Sequence, residues 1–530
     1  VTELAIEGSR KITLTAADLG ATNVTTTETN RLQNIIINED QNITGNIGTA
    51  ANALGYVIAN ANKGIKIGTS DFHAGIKTNT IDTANVEFTL ANAGVRSIGD
   101  SEKQVLNVTF TESGSVADGV YSKEVRINDT KTATLGGIIK SGDFQLIAAD
   151  AKVIFAEGAD VQSVIKSTAA GEGLVEVAGN ATISQNLGAA VNTLKKVTFA
   201  DDITKTANLG ADVFATDIAM RKSIVQLTAN SVQHGAVTTN ATTLDLADKM
   251  LTLDGNLTVN GVNTIRFAIN DSGVALTGGK VVINAGKALA FEAGSAIVIA
   301  PQDQDASRPT GGATRTFELI KNSGTLTAGK ELAADKITLI ANNPFITWTI
   351  VGTANGGVNL TQVDNAAKKL KEILAAKADA TDNANIDSLS NAAQGTDGAK
   401  VIDLLGKFAQ ANNTDKIDEA LDRLTGQTTV TDALEDTIAS VGESLGVRAT
   451  SLAGNQGSPV ETRTVSSERV TGVSAGDDHA RFGAWFSPFF NKTTQKARKG
   501  AAGYKSEAYG ASFGFDTRAN DDMIIGAAVT

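Results

Sequence analysis

The sequence predicts a mainly β chain: an elongated right-handed β-solenoid, an α-helical linker, and the first three strands of an incomplete outer-membrane-type β-barrel. Three observations point there. Apolar residues recur as pairs two apart, mostly at steps of six to eight residues: Leu244/Leu246, Leu251/Leu253, Leu257/Val259, Ile265/Phe267, Val281/Ile283, Leu289/Phe291 and Ile297/Ile299. None of the five prolines precedes Pro301, whereas the 52 glycines fall mostly between the apolar bursts, which suits uninterrupted ladders closed by tight turns. The last fifty or so residues alternate bulky apolar side chains with small ones.

Composition narrows the classes. The 530 residues carry 46 Lys and Arg against 58 Asp and Glu, a net charge of −12. A nucleic-acid partner is not expected, because neutralising a phosphate backbone needs a basic field. Apolar residues at 42% and charged ones at 20% supply a core and disfavour disorder. Cysteine is absent, so disulfides, thiolate nucleophiles and zinc–cysteine sites are excluded. The 5% aromatic share favours thin repetitive cores.

Within residues 1–316, read as the solenoid passenger, three short strands and three bends give a coil of about 24 residues, a period in the solenoid range. Asp254-Gly255, Asn260-Gly261, Ala285-Gly286 and Ala293-Gly294 supply the bends. Similar pairs occur at Val153/Phe155, Val175/Val177 and Val197/Phe199 without a strict repeat. An array of antiparallel sandwiches is the alternative, but bends this close leave little room for its longer strands. Residues 317–363, with Phe317-Glu318-Leu319-Ile320 and Phe345 to Ile350, read as a cap over the open last coil, with Trp348 in its core.

Residues 364–425 change to a helical pattern, with Ala366–Ala378, Ala399–Ala411 and Lys416–Leu424 as surface helices or a semi-ordered spacer. Residues 426–455 read as one sharper helix with the stripe Leu434, Ile438, Val441, Leu445, Leu452. From Asp432 to Leu452 it would be about 30 Å long, a bilayer's hydrocarbon thickness. Asp436, Glu443 and Arg448 make it too polar to face lipid, so a pore interior fits it, as would an ordinary amphipathic helix. Residues 456–480 form a polar connector.

Residues 481–530 carry the membrane signature. Phe482, Ala484, Phe486, Pro488 and Phe490 fall on one face of a first strand; Tyr509, Ala511, Phe513 and Phe515 on one face of a second; Met523, Ile525, Ala527 and Val529 on one face of a third. Barrel strands that cross a membrane need about 9 to 11 residues in this pattern. Asn491 to Ala502, with Lys492, Lys496, Arg498 and Lys499, reads as a long outer loop, solvated or touching anionic headgroups. Thr517 to Asp521 reads as a tight turn, and Pro488 is awkward within the first strand, although a strand end would tolerate it. The chain opens Val1-Thr2-Glu3 and stops inside an apolar run, as a segment cut at both ends would.

No catalytic, cofactor-binding or metal-binding residue is assigned. His73, His234 and His479 are far apart and form no metal pair. Gly99-Asp100-Ser101-Glu102 is like the Gly-Asp-Ser-Gly of serine proteases, but Glu102 stands where glycine is needed. Asp303 and Asp305 lack the glycine and terminal glutamate of a calcium loop. No GxxxxGK[ST] phosphate loop occurs.

Gly483-Ala484-Trp485, Gly500-Ala501-Ala502-Gly503-Tyr504-Lys505, Tyr509-Gly510, Gly514-Phe515-Asp516 and Ile525-Gly526-Ala527-Ala528 resemble the opening of the autotransporter β-domain. With Val473-Ser474-Ala475-Gly476-Asp477-Asp478, the segment is similar to rickettsial surface cell antigens of the outer membrane protein A and B group. That resemblance implies a passenger exported by type V secretion through its own barrel, with a linker helix left in the pore. It also implies an outer-membrane location with the passenger on the cell surface, outer-membrane lipid and the barrel assembly machinery as partners, and an adhesin or coat antigen that meets a host-cell receptor. A hydrolase passenger on the same module is the alternative. About 8 strands close the smallest barrels, and only three fit here.

Overall fold

The computed structural model describes residues 3–6, 11–14, 21–27, 33–199, 201–271, 276–302, 314–340, 343, 345–373, 386–392, 396–410, 413, 415–417, 420, 474–475, 482–495, 504–520 and 523–529. The chain divides into two compact units, one of Val1–Pro309 with Ala313–Asp364, the other holding Asn365–Thr530. The expected pore helix at 426–455 and most of the 456–480 connector lie outside the described residues.

The first unit is a β-solenoid of parallel ladders. Short strands such as Lys152–Phe155 and Tyr56–Ala59 alternate buried and half-buried residues, so each sends every second side chain inward. Inner ladders result, three of them typical. One passes through Ile35, Val57, Ile76, Ile98, Val120 and Ile139. Another joins Ile65, Val86, Val108, Val125, Phe144 and Ile165. A third joins Val95, Val116, Leu135, Phe155, Val177 and Phe199. These residues are all buried, and each coil completes its neighbours' core, which is why the strands form only when stacked.

The step between stacked coils is close to the expected period. Hydrogen-bonded partners on adjacent coils are 23, 22, 19 and 26 residues apart at Asn46/Asn23, Tyr56/Asn34, Thr132/Ser113 and Thr206/Asn180. Farther along, the coil widens to 36 residues at Ser295/Val259. Around the start of this widening, Met220, Leu244, Leu253, Val259 and Phe291 line an internal void of about 40 Å³. Of the predicted bends, Gly261, Gly286 and Gly294 do have positive φ. Gly255 serves a different need: a Cβ there would lie 1.8 Å from the Gly235 carbonyl oxygen of the coil below.

One corner loop occurs three times, in three different ladders. Ile47-Gly48-Thr49, Ile98-Gly99-Asp100 and Leu187-Gly188-Ala189 each put glycine at positive φ, at 69°, 70° and 86°. In each, the residue after glycine donates its N–H to a carbonyl three residues on: Thr49 to Asn52, Asp100 to Lys103, Ala189 to Asn192, at 3.1–3.2 Å. Leu54, Val105 and Leu194, seven residues after the first apolar residue, return fully buried to the core.

The coil ends by changing sheet type. The end of strand Thr314–Asn322 pairs parallel with Lys280–Ile283, through Val281 opposite Ile320. Its front half pairs antiparallel with Val358–Asp364, which pairs antiparallel with Ile346–Gly352. Phe317, Leu360 and Trp348 join the solenoid core, Trp348 at 9% exposure. Phe317 stacks on Phe267 at 5.3 Å and 4°.

In the second unit, helices Ala366–Ile373 and Asp397–Gln410 bury Leu370, Ile402 and Leu405 completely, as are Ile386 and Ile417 nearby. They therefore have an apolar core, where the sequence suggested surface helices or a semi-ordered spacer. The C-terminal strands form one antiparallel sheet in chain order: Ser474–Ala475, Phe482–Gln495, Tyr504–Asn520 and Met523–Val529.

Candidate functional site: the apolar face of the C-terminal sheet

The residues weighed for chemistry are absorbed by the coil architecture. Gly99 to Glu102 is the second of the three corner loops, and the Asp100 carboxylate accepts the N–H groups of Glu102 and Lys103 at 3.0 and 2.7 Å. Burial pushes Asp100 up, but the Lys77 ammonium at 3.0 Å and those two N–H groups outweigh it and leave the carboxyl below its ordinary range. His234 stacks on Phe214 one coil back, at 4.2 Å and 6°, and faces Asp254 one coil on at 3.3 Å. The Asn284 amide, then His234 and Lys287, hold Asp254 low against a partial burial effect. His73 lies on another coil, and among the described residues no group of three His, Cys, Asp or Glu is placed to hold a metal. His479, Asp303 and Asp305 lie outside the described residues.

Several carboxylates along the coil sit beside a cation or an amide. Glu124 and Asp143 are stacked in register on adjacent coils, a separation that would interest a glycan-cleaving mechanism. Each already has a cation, Arg126 at 2.7 Å and Lys166 at 2.7 Å. Glu157 accepts from the Asn180 side chain, from Lys205 and from the Asn180 backbone, and these bonds hold its carboxyl at about 2.

The C-terminal sheet is different, because it turns large apolar groups outward. Ala511, Phe513 and Phe515 are exposed, the two phenylalanines by 47% and 58%, while Gly514 between them is buried. Register sets Phe513 opposite Phe486 and Val529, and Phe515 opposite Ala484 and Ala527. Ala527, opposite Phe515, is exposed as well, as opposed residues of an antiparallel pair share a face. In register, Trp485 lies opposite Gly514 and Phe489 opposite Gly510.

Two boundaries move from the sequence reading. Asn491–Gln495 is strand, paired out to Gln495 opposite Tyr504, and Thr517–Asn520 is strand as well. The hairpin keeps its ladder past the apolar run because polar residues pair there too, with Lys492 opposite Glu507. Pro488 sits inside the strand, opposite Ala511, not at its end. The described neighbour on the other edge pairs only with Ala484 and Trp485, so a missing N–H at 488 breaks no described bond there.

Residues 484–530 match the family model of the autotransporter β-domain. That match covers less than a tenth of the chain. Over 91% of its length the chain is 26% identical to outer membrane protein B of Rickettsia typhi, covering 30% of that protein. It is 25% identical to outer membrane protein B of Rickettsia japonica over 87% of the chain and 28% of the relative. For outer membrane protein A of Rickettsia conorii the figures are 25%, 92% and 24%. The chain thus spans less than a third of the length of the curated relatives it matches. No solved structure matches it.

Proposed function

We propose that the chain is part of an autotransporter that displays its solenoid on the cell surface as a non-enzymatic adhesin or coat antigen, delivered through an outer-membrane barrel that residues 481–530 open. The observation that carries this reading is the half-exposed Phe513 and Phe515 flanking a buried Gly514. Apolar side chains facing out and small residues facing in are what a strand between hydrocarbon and a lumen requires.

In this reading residues 1–316 are a right-handed passenger coil, the hand that parallel crossovers overwhelmingly take. Residues 317–363 cap it, 364–425 form the helical spacer, 426–455 a helix left in the pore and 456–480 a polar connector. Outer-membrane lipid and the barrel assembly machinery are the partners of the barrel. A host-cell receptor is the partner that this reading gives the passenger. The in-register pair Glu124 and Asp143, each beside its own cation, suits a surface that binds rather than cleaves.

Cells producing the full-length protein test this. Protease added outside should remove solenoid epitopes and leave the C-terminal sheet in the outer-membrane fraction. A solenoid that stays protected until the outer membrane is broken would refute surface display.

A further inference from the structure

Asn-Gly occurs twice in the sequence, at Asn260-Gly261 and Asn355-Gly356, and the fold treats the two pairs oppositely. In such a pair the glycine nitrogen is the least hindered nucleophile a peptide offers, since no Cβ shields it, and the asparagine carboxamide is on the residue before. Attack depends on whether both groups are free to meet. At the second pair they are not. The Gly356 N–H is given to the Thr353 carbonyl at 2.9 Å. The Asn355 carboxamide donates to the Asn322 carbonyl and accepts from the Thr353 hydroxyl and the Gly357 N–H, while Asn322 donates back to the Asn355 carbonyl. Asn355 is exposed, yet ring closure there requires these bonds to open first.

At the first pair neither reacting group is held. Among the described residues, the Asn260 carboxamide and the Gly261 N–H have no hydrogen-bond partner. Asn260 ends strand Leu257–Asn260, and Gly261 links it to strand Val262–Asp271. Both are half-buried and Val262 beyond them is exposed, so water reaches the corner. Gly261 lies at φ 61°, and a Cβ there would lie 2.8 Å from the carboxamide oxygen of Asn240, which stacks on Asn260 from the coil below. The corner therefore needs glycine at the position that makes the preceding asparagine vulnerable. Its carbonyls are steadied from Asn263, whose Nδ2 donates to Asn260 at 2.8 Å and to Gly261 at 3.3 Å, and whose Oδ1 accepts the Thr242 N–H at 3.1 Å.

We propose that Asn260 is a modification site, deamidated through a cyclic imide without an enzyme, and that the product loosens the corner between those two strands. The Gly261 nitrogen bonds the Asn260 Cγ and gives up its proton; the Cγ–Nδ2 bond breaks, and that nitrogen leaves as ammonia. Water then opens the imide at either carbonyl, giving aspartate or isoaspartate, and the site gains a negative charge. In isoaspartate the main chain runs through the former side-chain methylene. The old Asn260 carbonyl carbon becomes a side-chain carboxylate and moves away from the Asn263 amide, so the Thr242 N–H at the other end of that amide loses its anchor.

Full-length protein held in mildly alkaline buffer, sampled over time and mapped by peptide mass spectrometry, reads both sites at once. Asn260 should convert at least about tenfold faster than Asn355, because each hydrogen bond that must open before attack slows it about fivefold. In denaturant the two should convert at similar rates, so that a difference confined to the folded protein belongs to its bonding. The Thr242 amide hydrogen should exchange faster in aged wild type than in fresh protein, and aged Asn260→Gln should show no such change. Folded protein in which Asn355 keeps pace with Asn260 or overtakes it overturns the site, as does conversion of Asn260 in denaturant alone. A converted fraction whose Thr242 exchange matches fresh protein overturns the loosening.

Discussion

Lys205 donates to Glu157 at 3.0 Å although 48 residues separate them, so the ammonium spans an intervening coil. Between them Asn180 gives Glu157 two more hydrogen bonds and accepts the Thr206 N–H at 2.7 Å. Surface charge in this solenoid serves as a clasp between coils.

The clasp makes local stability depend on pH. Glu157 titrates at about 2, below the ordinary value of 4.5. A depressed carboxyl contributes stability above its unfolded value and loses it as pH falls from 4.5 towards 2. Hydrogen exchange at the Asn180 and Thr206 amides should accelerate across that window in the wild type. In Glu157→Gln the acceleration should be absent; an identical pH profile would dismiss the clasp.

The corner loops predict a graded glycine series. At Gly188 an added Cβ would lie 2.0 Å from the Phe214 carbonyl oxygen, on a backbone at φ 86°. At Gly171 φ is 78° but nothing lies within 4 Å. Gly171→Ala should cost about 1 kcal/mol, from the left-handed backbone alone. Gly188→Ala should cost more than about 3 kcal/mol, because neighbouring backbone must move as well. Denaturant unfolding followed coil by coil with hydrogen exchange would rank the two, and equal costs would contradict the packing.

Filling the internal void should stabilise the wide coils. A void of about 40 Å³ corresponds to roughly 1 kcal/mol at about 24 cal/mol per Å³. Val237→Ile, at its wall, should recover up to that amount, unlike Phe155→Ala in the filled ladder, which should lose about 3 to 5 kcal/mol. Hydrogen exchange of strand Ser231–Asn240 reads the gain, and a loss on Val237→Ile would mean the space is not there.

The exposed aromatic row separates a membrane strand from a soluble one. Phe513→Arg should cost about 2 to 4 kcal/mol of folding into lipid, the penalty for a cation near mid-bilayer. Heat-modifiable mobility in outer-membrane fractions checks it. A variant that folds as well as wild type would show that Phe513 does not meet hydrocarbon.

The ladders were legible because an inward residue every second position needs no knowledge of its neighbours, as at Val153/Phe155 and Val197/Phe199. The corner loops were not. Gly48, Gly99 and Gly188 share only glycine after an aliphatic residue and a second aliphatic residue seven positions beyond the first, and Asp100-Ser101 made the middle loop look like a protease motif. The Asn- and Thr-rich N-terminal part conceals a chain of bonds. Asn23 accepts from the Asn46 N–H, and Asn46 accepts from Thr69, a relation visible only when residues 23 apart become neighbours. Likewise the helical segment read as surface helices or a spacer because the burial of Leu370, Ile402 and Leu405 comes only with folding.

Parallel pairing also fixes how the solenoid bears load. Bonds such as Lys152 N–H to the Lys131 carbonyl and Leu174 N–H to the Ala151 carbonyl point from coil to coil, so tension along the stack pulls them lengthwise in series. Each junction then fails by itself, and a tug at one end should pay the chain out in increments of roughly one coil's contour, longer where the coils widen, like thread leaving a spool.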